Sequence, residues 1–103
     1  MSHPVRLHAF QEGELEYLLP RLATEVRHCG CWLTYLFSLS KGRAEIVFEV
    51  PPARAVDLYG VLLGFGLQLT VDSHYRLAAL CALHHYRGGG GGSRRARLQI
   101  EFG

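Results

Sequence analysis

The segment CWLTYLFSLSKGRAEIVFEV, residues 31–50, decides the fold because its apolar residues alternate on both sides of a short turn. With Lys41 and Gly42 as a two-residue hairpin turn, one face carries four apolar pairs: Leu39 with Ala44, Phe37 with Ile46, Tyr35 with Phe48, and Leu33 with Val50. A shift by one residue would move these side chains to the other face, so the register is well specified. The segment therefore predicts an antiparallel hairpin with one buried face.

Upstream of the hairpin, the pattern changes from strand to helix. Residues 4–10 alternate between apolar and polar side chains, which is typical of a strand with one buried face. From Glu14 the apolar residues follow a helical period up to Val26, and Gly30 is suited to end that helix. Pro20 is expected to kink the helix or to start a second one, because it removes a backbone hydrogen bond.

Downstream of the hairpin, two more helices are predicted. Pro51 and Pro52 favour the start of the first, and its buried stripe is expected to contain Val56, Tyr59, Leu62 and Leu63 before it ends at Gly64 and Gly66. Residues 67–71 alternate like a strand. A helix over residues 74–86 follows, capped by Asp72 or Ser73, and its buried side is expected to hold Leu77, Leu80, Cys81 and His84.

The glycine-rich stretch 87–95 is predicted to be a flexible loop within the domain rather than a linker to a tail. The residues that follow support this interpretation, since Ala96, Leu98, Ile100 and Phe102 alternate with polar residues as in a half-buried strand.

The order β-α-β-β-α-β, followed by α-β, predicts a single α+β domain over residues 1–103 with a ferredoxin-like sandwich as its core. Right-handed crossovers would place the helices on one face of an antiparallel sheet with the strand order 4-1-3-2. A third crossover of the same sense would add the last strand beside the fourth, which gives 5-4-1-3-2. Pairing of the last strand with another subunit is the alternative.

This fold leaves one sheet face without helices, and the alternation places Phe10, Trp32, Leu36 and Val47 on it, with an apolar centre. An apolar group of this kind on a small domain is typical of an interface. We therefore expect a non-enzymatic regulatory or protein-interaction module that forms a homodimer through its open face. A pocket for a small molecule or peptide and an ordinary surface with scattered hydrophobic residues are the alternatives.

The same face argues against nucleic-acid binding. The net charge is only +2, and Glu45 and Glu49 would repel a phosphate backbone. The segment RAEIVFEV, residues 43–50, also lacks the glycine and aromatic pattern of RNA-recognition motifs. Amino-acid-sensing domains of the ACT type have an open sheet of this kind, but that analogy concerns the fold alone because no motif supports it.

The segment HCGCW, residues 28–32, raises the question of a metal or redox site. A zinc site would combine Cys29 and Cys31 with Cys81 and His84, because zinc needs about four ligands. However, C-x-C is shorter than the usual zinc spacing, and cysteine commonly packs as a small hydrophobic residue. Core packing without metal or cofactor is therefore the preferred interpretation. The helix dipole also disfavours a thiolate at a helix end, and Cys29 alone is expected to be exposed and oxidisable.

Other classes of function find little support. The chain has no nucleophile elbow, zinc-protease motif or phosphate-binding loop, so an enzyme is the less favoured prediction. No stretch approaches the ~18 apolar residues of a membrane span, and the N-terminus lacks the apolar part of a signal peptide. We therefore expect a cytoplasmic protein with reduced thiols and no membrane contact.

Overall fold

The computed structural model describes residues 4–13, 15–40, 42–87 and 92–103. The strands are β1 Val5–Gln11, β2 Trp32–Ser40, β3 Arg43–Val50, β4 Gln68–Leu69 and β5 Arg94–Phe102. The helices are α1 Leu15–His28, α2 Ala55–Gly64 and α3 Val71–Arg87, and a single 3-10 turn, Pro52–Arg54, precedes α2. Strands and helices follow one another in the predicted order.

The sheet topology differs from the expected one. The strands lie in the order β2-β3-β5-β1-β4, so β5 is at the centre of the sheet and pairs on both sides within the chain. It runs parallel to β1 and antiparallel to β3, while the β1–β4 and β2–β3 pairs are antiparallel. The fold is therefore α+β with a mixed sheet. The predicted order 5-4-1-3-2 and the antiparallel ferredoxin-like sheet are wrong.

Strand β5 occupies the centre because both of its faces match its neighbours there. Its residues Ala96, Leu98 and Ile100 are buried in the core. On the opposite face, its charged residues lie beside charges of the opposite sign on β3. The predicted place beside β4 would have offered this strand of 9 residues a partner of only 2 residues.

Helix α3 covers the part of the β1 edge that a longer β4 would have paired. The backbone N–H of His8 donates to Ser73 Oγ at 2.7 Å, and Arg76 Nη1 donates to the carbonyl oxygen of Arg6 at 2.6 Å. These side chains satisfy backbone groups that the sheet leaves unpaired. Thr70 Oγ1 accepts a hydrogen bond from the N–H of Ser73 at 3.2 Å, so Thr70 caps the helix instead of the predicted Asp72 or Ser73.

The predicted β2–β3 hairpin is confirmed, but its register is wrong beyond the turn. Ser40 pairs with Arg43 as expected, whereas Lys41 of the predicted turn lies outside the described residues. Two irregularities then displace the pairing by one residue each, so the other pairs are Ser38 with Ala44, Phe37 with Glu45, Leu36 with Ile46, Tyr35 with Val47, Leu33 with Phe48 and Trp32 with Glu49. Between the two bulges, Tyr35 and Leu36 therefore lie on the faces opposite to the predicted ones.

One buried core joins the three helices to one face of the sheet. Its largest fully buried members include Leu7, Phe48 and Leu98 from strands, and Leu22, Leu62 and Leu77 from helices. Helix α1 continues through Pro20, so of the two predicted outcomes the start of a second helix is wrong. No helix within the described ranges is both long and apolar enough to cross a membrane.

The buried sides of α2 and α3 follow the prediction in part. In α2, Leu62 is buried, but Val56 and Leu63 are exposed, and Ala55 and Leu58 lie in the core instead. In α3, Leu77 and Leu80 are buried as predicted. The His84 side chain and residues 88–91 of the predicted glycine-rich loop lie outside the described part of the chain.

Candidate functional site

The sheet face opposite the helices carries ion pairs between β3 and β5. Arg95 Nε lies 3.1 Å from Glu49 Oε1, and Arg43 Nη2 donates to Glu101 Oε1 at 2.6 Å. These pairs join directly facing residues of the two strands. Opposite charges in such positions stabilise the strand register.

The centre of this face is polar, so the predicted apolar centre is wrong. The Glu45 side chain is buried, and its Oε2 accepts a hydrogen bond from Gln99 Nε2 at 3.0 Å. Its Oε1 lies 3.3 Å from Arg97 Nε, an ion pair without hydrogen-bond geometry. Because these charges are matched within the subunit, the centre of the face offers little unpaired charge to a partner.

Exposed aromatic side chains lie instead at the β2 side of this face. Trp32 is 75% exposed and Tyr35 is 60% exposed. They pair with Glu49 and Val47, whose side chains share the open face with the charged residues. We call Trp32 and Tyr35 the aromatic margin. The sequence pattern missed Tyr35, because the irregularity between Ser38 and Ser40 exchanges the faces of the strand as far as the second one between Leu33 and Tyr35.

The four residues predicted to form one interface do not lie together. Trp32 and Phe10 are both on the open face, but Phe10 lies on β1 against the chain end at Gly103. Val47 is on this face but only 4% exposed. Leu36 faces Ile46 of the core, so its predicted position on the open face is wrong.

Strand β2 is also an edge of the sheet, since β3 is its only partner among the described strands. Residues 32–40, WLTYLFSLS, contain no charged residue and no proline. Natural proteins usually protect long edge strands with such residues, because an unpaired edge can pair with another chain. The aromatic margin therefore lies on a strand whose outer backbone groups are open to pairing.

The two cysteines of HCGCW lie at the C-terminal end of α1. The N–H of Gly30 donates to the carbonyl oxygen of Arg27 at 3.0 Å, and the N–H of Cys31 donates to that of Val26 at 3.2 Å. Gly30 has φ +94°. Together these features define a Schellman motif, which requires a left-handed residue directly after the helix. The predicted helix end at Gly30 is confirmed.

This motif brings the two thiols into contact, with Cys29 Sγ 3.7 Å from Cys31 Sγ. Cys31 is buried in the core as predicted. Its burial, followed by the neighbouring Cys29, raises the pKa of the Cys31 thiol to about 12. Cys29 is half-buried and lines a surface cavity together with His28, Arg54 and Asp57. Cys29 is therefore less buried than Cys31 but not exposed as predicted, and its thiol donates to the carbonyl oxygen of Val26 at 3.1 Å.

Arg54 lies directly over this helix end. A Cβ atom on Gly30 would be 3.1 Å from Arg54 Nε. The guanidinium also lies 3.4 Å from a carboxylate oxygen of Asp57. The sequence offered no signal for this contact, because Arg54 follows the hairpin and meets Gly30 only through tertiary packing.

The proposed zinc ligands do not assemble into a site in the described part of the chain. No group of three or more His, Cys, Asp or Glu side chains there could hold a metal ion. Cys29 and Cys31 are together, but Cys81 packs against the core from α3, where burial raises the pKa of its thiol. The position of the His84 side chain is outside the described residues.

A second cavity lies between the start of β1, helix α3 and the start of β5. Its described lining contains Arg6, Arg76 and Arg94 and the apolar residues Pro4, Val5, Ala79 and Leu80, with no acidic residue among them. The Nε atom of Arg94 is buried without a hydrogen-bond partner among the residues that the structure describes. We call this the arginine-lined cavity. Its arginines are far apart in sequence, so only the central position of β5 brings Arg94 near the others.

Comparison with known proteins adds no family to these observations: no family model, no curated protein and no solved structure matches the chain.

Proposed function

We propose that this protein is a non-enzymatic interaction module that forms a homodimer through the aromatic margin and the edge of β2. The observation that carries this proposal is the exposure of Trp32 and Tyr35 side by side on an edge strand without charge. Aromatic side chains of this kind are enriched at the centres of protein interfaces.

A second copy of the chain is the partner that fits this surface best. Two β2 strands related by a two-fold axis would pair antiparallel, so each copy would satisfy the open backbone groups of the other. The aromatic margins of both copies would then be cross-strand neighbours on one face. A strongly charged partner fits less well, since Glu45 and Glu49 already pair with Arg97 and Arg95.

The test compares two double variants by native mass spectrometry and analytical ultracentrifugation. Trp32→Glu with Tyr35→Glu places charge on the edge and is expected to raise the dimer dissociation constant at least about tenfold. The matched control is Tyr17→Glu with Tyr75→Glu, because these aromatics are 74% and 71% exposed but lie on helices. Circular dichroism checks that both variants fold.

The control variant is expected to keep the wild-type dissociation constant. A wild-type chain that stays monomeric at high protein concentration would contradict the proposal. Equal weakening in both double variants would also contradict it, since the helical positions would then matter as much as the edge.

We infer a second candidate function, the binding of a small amphipathic anion, from the arginine-lined cavity. Three arginines line this cavity, its described lining contains no acidic residue, and apolar side chains complete it. Guanidinium groups bind carboxylate and phosphate well. Phenyl phosphate is a suitable probe because it combines an anion with an apolar ring.

Titration of phenyl phosphate, followed by thermal unfolding, tests this candidate. Binding should raise the midpoint of the wild-type chain, and Arg94→Gln should reduce this shift. Arg95→Gln is the matched control, because Arg95 is the adjacent residue but pairs with Glu49 on the open face. An unchanged midpoint at millimolar probe, or an equal loss in both variants, would exclude a specific site in this cavity.

A further inference from the structure

We propose that Cys29 and Cys31 are a modification site at which low-molecular-weight disulfides, such as oxidised glutathione, produce a reversible intrachain disulfide. The Schellman motif at the end of α1 carries this inference, because it holds the two sulfur atoms 3.7 Å apart before any reaction. The proposal rests on the end of α1 and not on the exposure of Trp32 and Tyr35, although Cys31 directly precedes Trp32 in the chain.

The thiols are already placed for a bond within the chain. Residues separated by one position can have Cα atoms at most about 7 Å apart, since each step along the backbone is about 3.8 Å. The turn at Gly30 shortens this span toward the range of about 4.4 to 6.8 Å that disulfides require. Closure therefore starts from two sulfur atoms that are already in contact, at 3.7 Å.

The difference in exposure between the thiols defines the order of the steps. Cys29 is half-buried at the surface cavity, so it meets the external disulfide first. The Cys29 thiol gives its proton to water, and its sulfur attacks one sulfur of oxidised glutathione. The glutathione S–S bond breaks, and one glutathione thiolate leaves and takes up a proton. Cys29 is then joined to the second glutathione unit by a mixed disulfide.

Cys31 completes the reaction from the buried side. Its thiol gives its proton to water, and its sulfur attacks Cys29 Sγ and expels the second glutathione thiolate. In total, two cysteine thiols are oxidised by two electrons, one external disulfide is reduced, and two glutathione thiols are released. The product has no charge, which suits the enclosed position of Cys31.

The structure also explains why the third cysteine cannot complete the same reaction. Cys81 is half-buried against the core on α3, and the described residues contain no cluster that joins it to the other cysteines. A mixed disulfide formed at Cys81 would have no neighbouring thiol to resolve it. The same molecule therefore contains an internal control for a thiol without a partner.

The experiment treats the fully reduced, full-length chain with defined ratios of reduced and oxidised glutathione. After acid quenching and alkylation, intact mass and peptide mapping identify each product. The wild-type chain should lose two hydrogen atoms, give a linked peptide that contains Cys29 and Cys31, and leave Cys81 open to alkylation. Reduced glutathione should reverse the change.

Two variants separate the steps. Cys31→Ser should accumulate one glutathione on Cys29, and this adduct should decay at least about tenfold more slowly than in the wild-type chain, since only free glutathione can resolve it. Cys29→Ser should remain largely unmodified at Cys31, because that thiol is enclosed. In the wild-type chain, the rate of the closing step should rise about tenfold for each unit by which the pH is raised, as long as the pH stays below the pKa of Cys31.

The proposal is overturned if the wild-type chain stops at a glutathione adduct while Cys31 remains alkylatable. It is also overturned if oxidation yields only disulfides between chains, or if Cys81 reacts in place of the pair. Each of these products has a distinct mass and peptide map, and each is independent of the dimer proposed for the β2 edge.

Discussion

Helices α1 and α2 end in the same backbone motif but with different side chains. At the end of α2, the N–H of Gly66 donates to the carbonyl oxygen of Leu63 at 2.9 Å, and that of Leu67 donates to Leu62 at 3.4 Å. Gly66 has φ +78°, as Gly30 has φ +94°. Both ends are therefore Schellman motifs.

The side chains at these two ends occupy equivalent positions. Where α1 has Cys29 before its glycine and Cys31 after it, α2 has the half-buried Phe65 and the buried Leu67. The motif thus provides one half-buried and one buried apolar position in each case. The comparison teaches that packing accounts for the place of the cysteines, whereas their chemistry, absent from the α2 end, must be tested separately.

The largest expected difference between the two ends concerns the buried residue after each glycine. Leu67→Ala should lower the free energy of unfolding by about 2–5 kcal/mol, because it removes a large core side chain. Cys31→Ala removes a single sulfur atom and should cost less than about 2 kcal/mol. Urea unfolding of both variants measures the decrease in the free energy of unfolding. Equal decreases would mean that the two positions are not packed alike.

The glycines themselves provide the next test. Gly66→Ala should cost about 1–2 kcal/mol, since a left-handed backbone strains any residue with a Cβ atom. Gly30→Ala should cost more, because its Cβ would also lie 3.1 Å from Arg54 Nε, while no atom of the described residues lies within 4 Å of a Cβ at Gly66. Chemical unfolding of the two variants compares these costs. A smaller loss for Gly30→Ala would refute the close approach of Arg54.

Alkaline pH should destabilise the α1 end but not the α2 end. Folding raises the pKa of the Cys31 thiol from 9.0 to about 12, so the folded state keeps a proton that the unfolded chain loses. The contribution of this thiol to the free energy of unfolding is fully present below pH 9 and is lost as the pH rises toward 12. The expected loss is about 1 kcal/mol by pH 10.

Urea unfolding at pH 8 and pH 10 measures this loss, and Cys31→Ala is the control. The difference between wild type and Cys31→Ala should narrow at the higher pH. If the two chains lose stability in parallel, the thiol of Cys31 does not titrate as its burial requires.

The smallest effect concerns the side chain that covers Gly30. Arg54→Ala should change stability by less than about 1 kcal/mol, since the ion pair with Asp57 is exposed. In the Arg54→Ala background, however, Gly30→Ala no longer places a Cβ against the arginine side chain. Its cost in the free energy of unfolding should then fall to about that of Gly66→Ala. A double-mutant cycle measures this coupling, and strict additivity would contradict the contact.

Local patterns predicted the elements well but not their arrangement. The strands and helices, the β2–β3 hairpin and the helix end at Gly30 follow from alternation, helical period and a glycine with positive φ. The central place of β5 could not be read in this way, because alternation in Ala96, Leu98 and Ile100 indicates one buried face and not which strands lie on either side. A signal was nevertheless present, since Arg95 and Glu101 complement Glu49 and Arg43 at facing positions.

The same distinction between local patterns and tertiary arrangement applies to the candidate site. Composition and spacing drew attention to Trp32, Cys29 and Cys31. Trp32 remains central to the proposed dimer surface, and the two cysteines remain central to the proposed disulfide. Tyr35 was missed because a bulge exchanges the two faces of a strand. Leu36 was misplaced for the same reason, since only the observed pairing with Ile46 assigns it to the core face.

The sequence by itself determined which segments are strands and helices and where α1 ends, because these features depend on neighbours within a few residues of one another. Only the tertiary structure decided that β5 enters between β3 and β1, that Arg54 covers Gly30, and that Arg94 shares a cavity with Arg6 and Arg76. These contacts join residues far apart in the chain, so they form only when the elements pack together, and for β5 the burial of one face and the paired charges on the other act together.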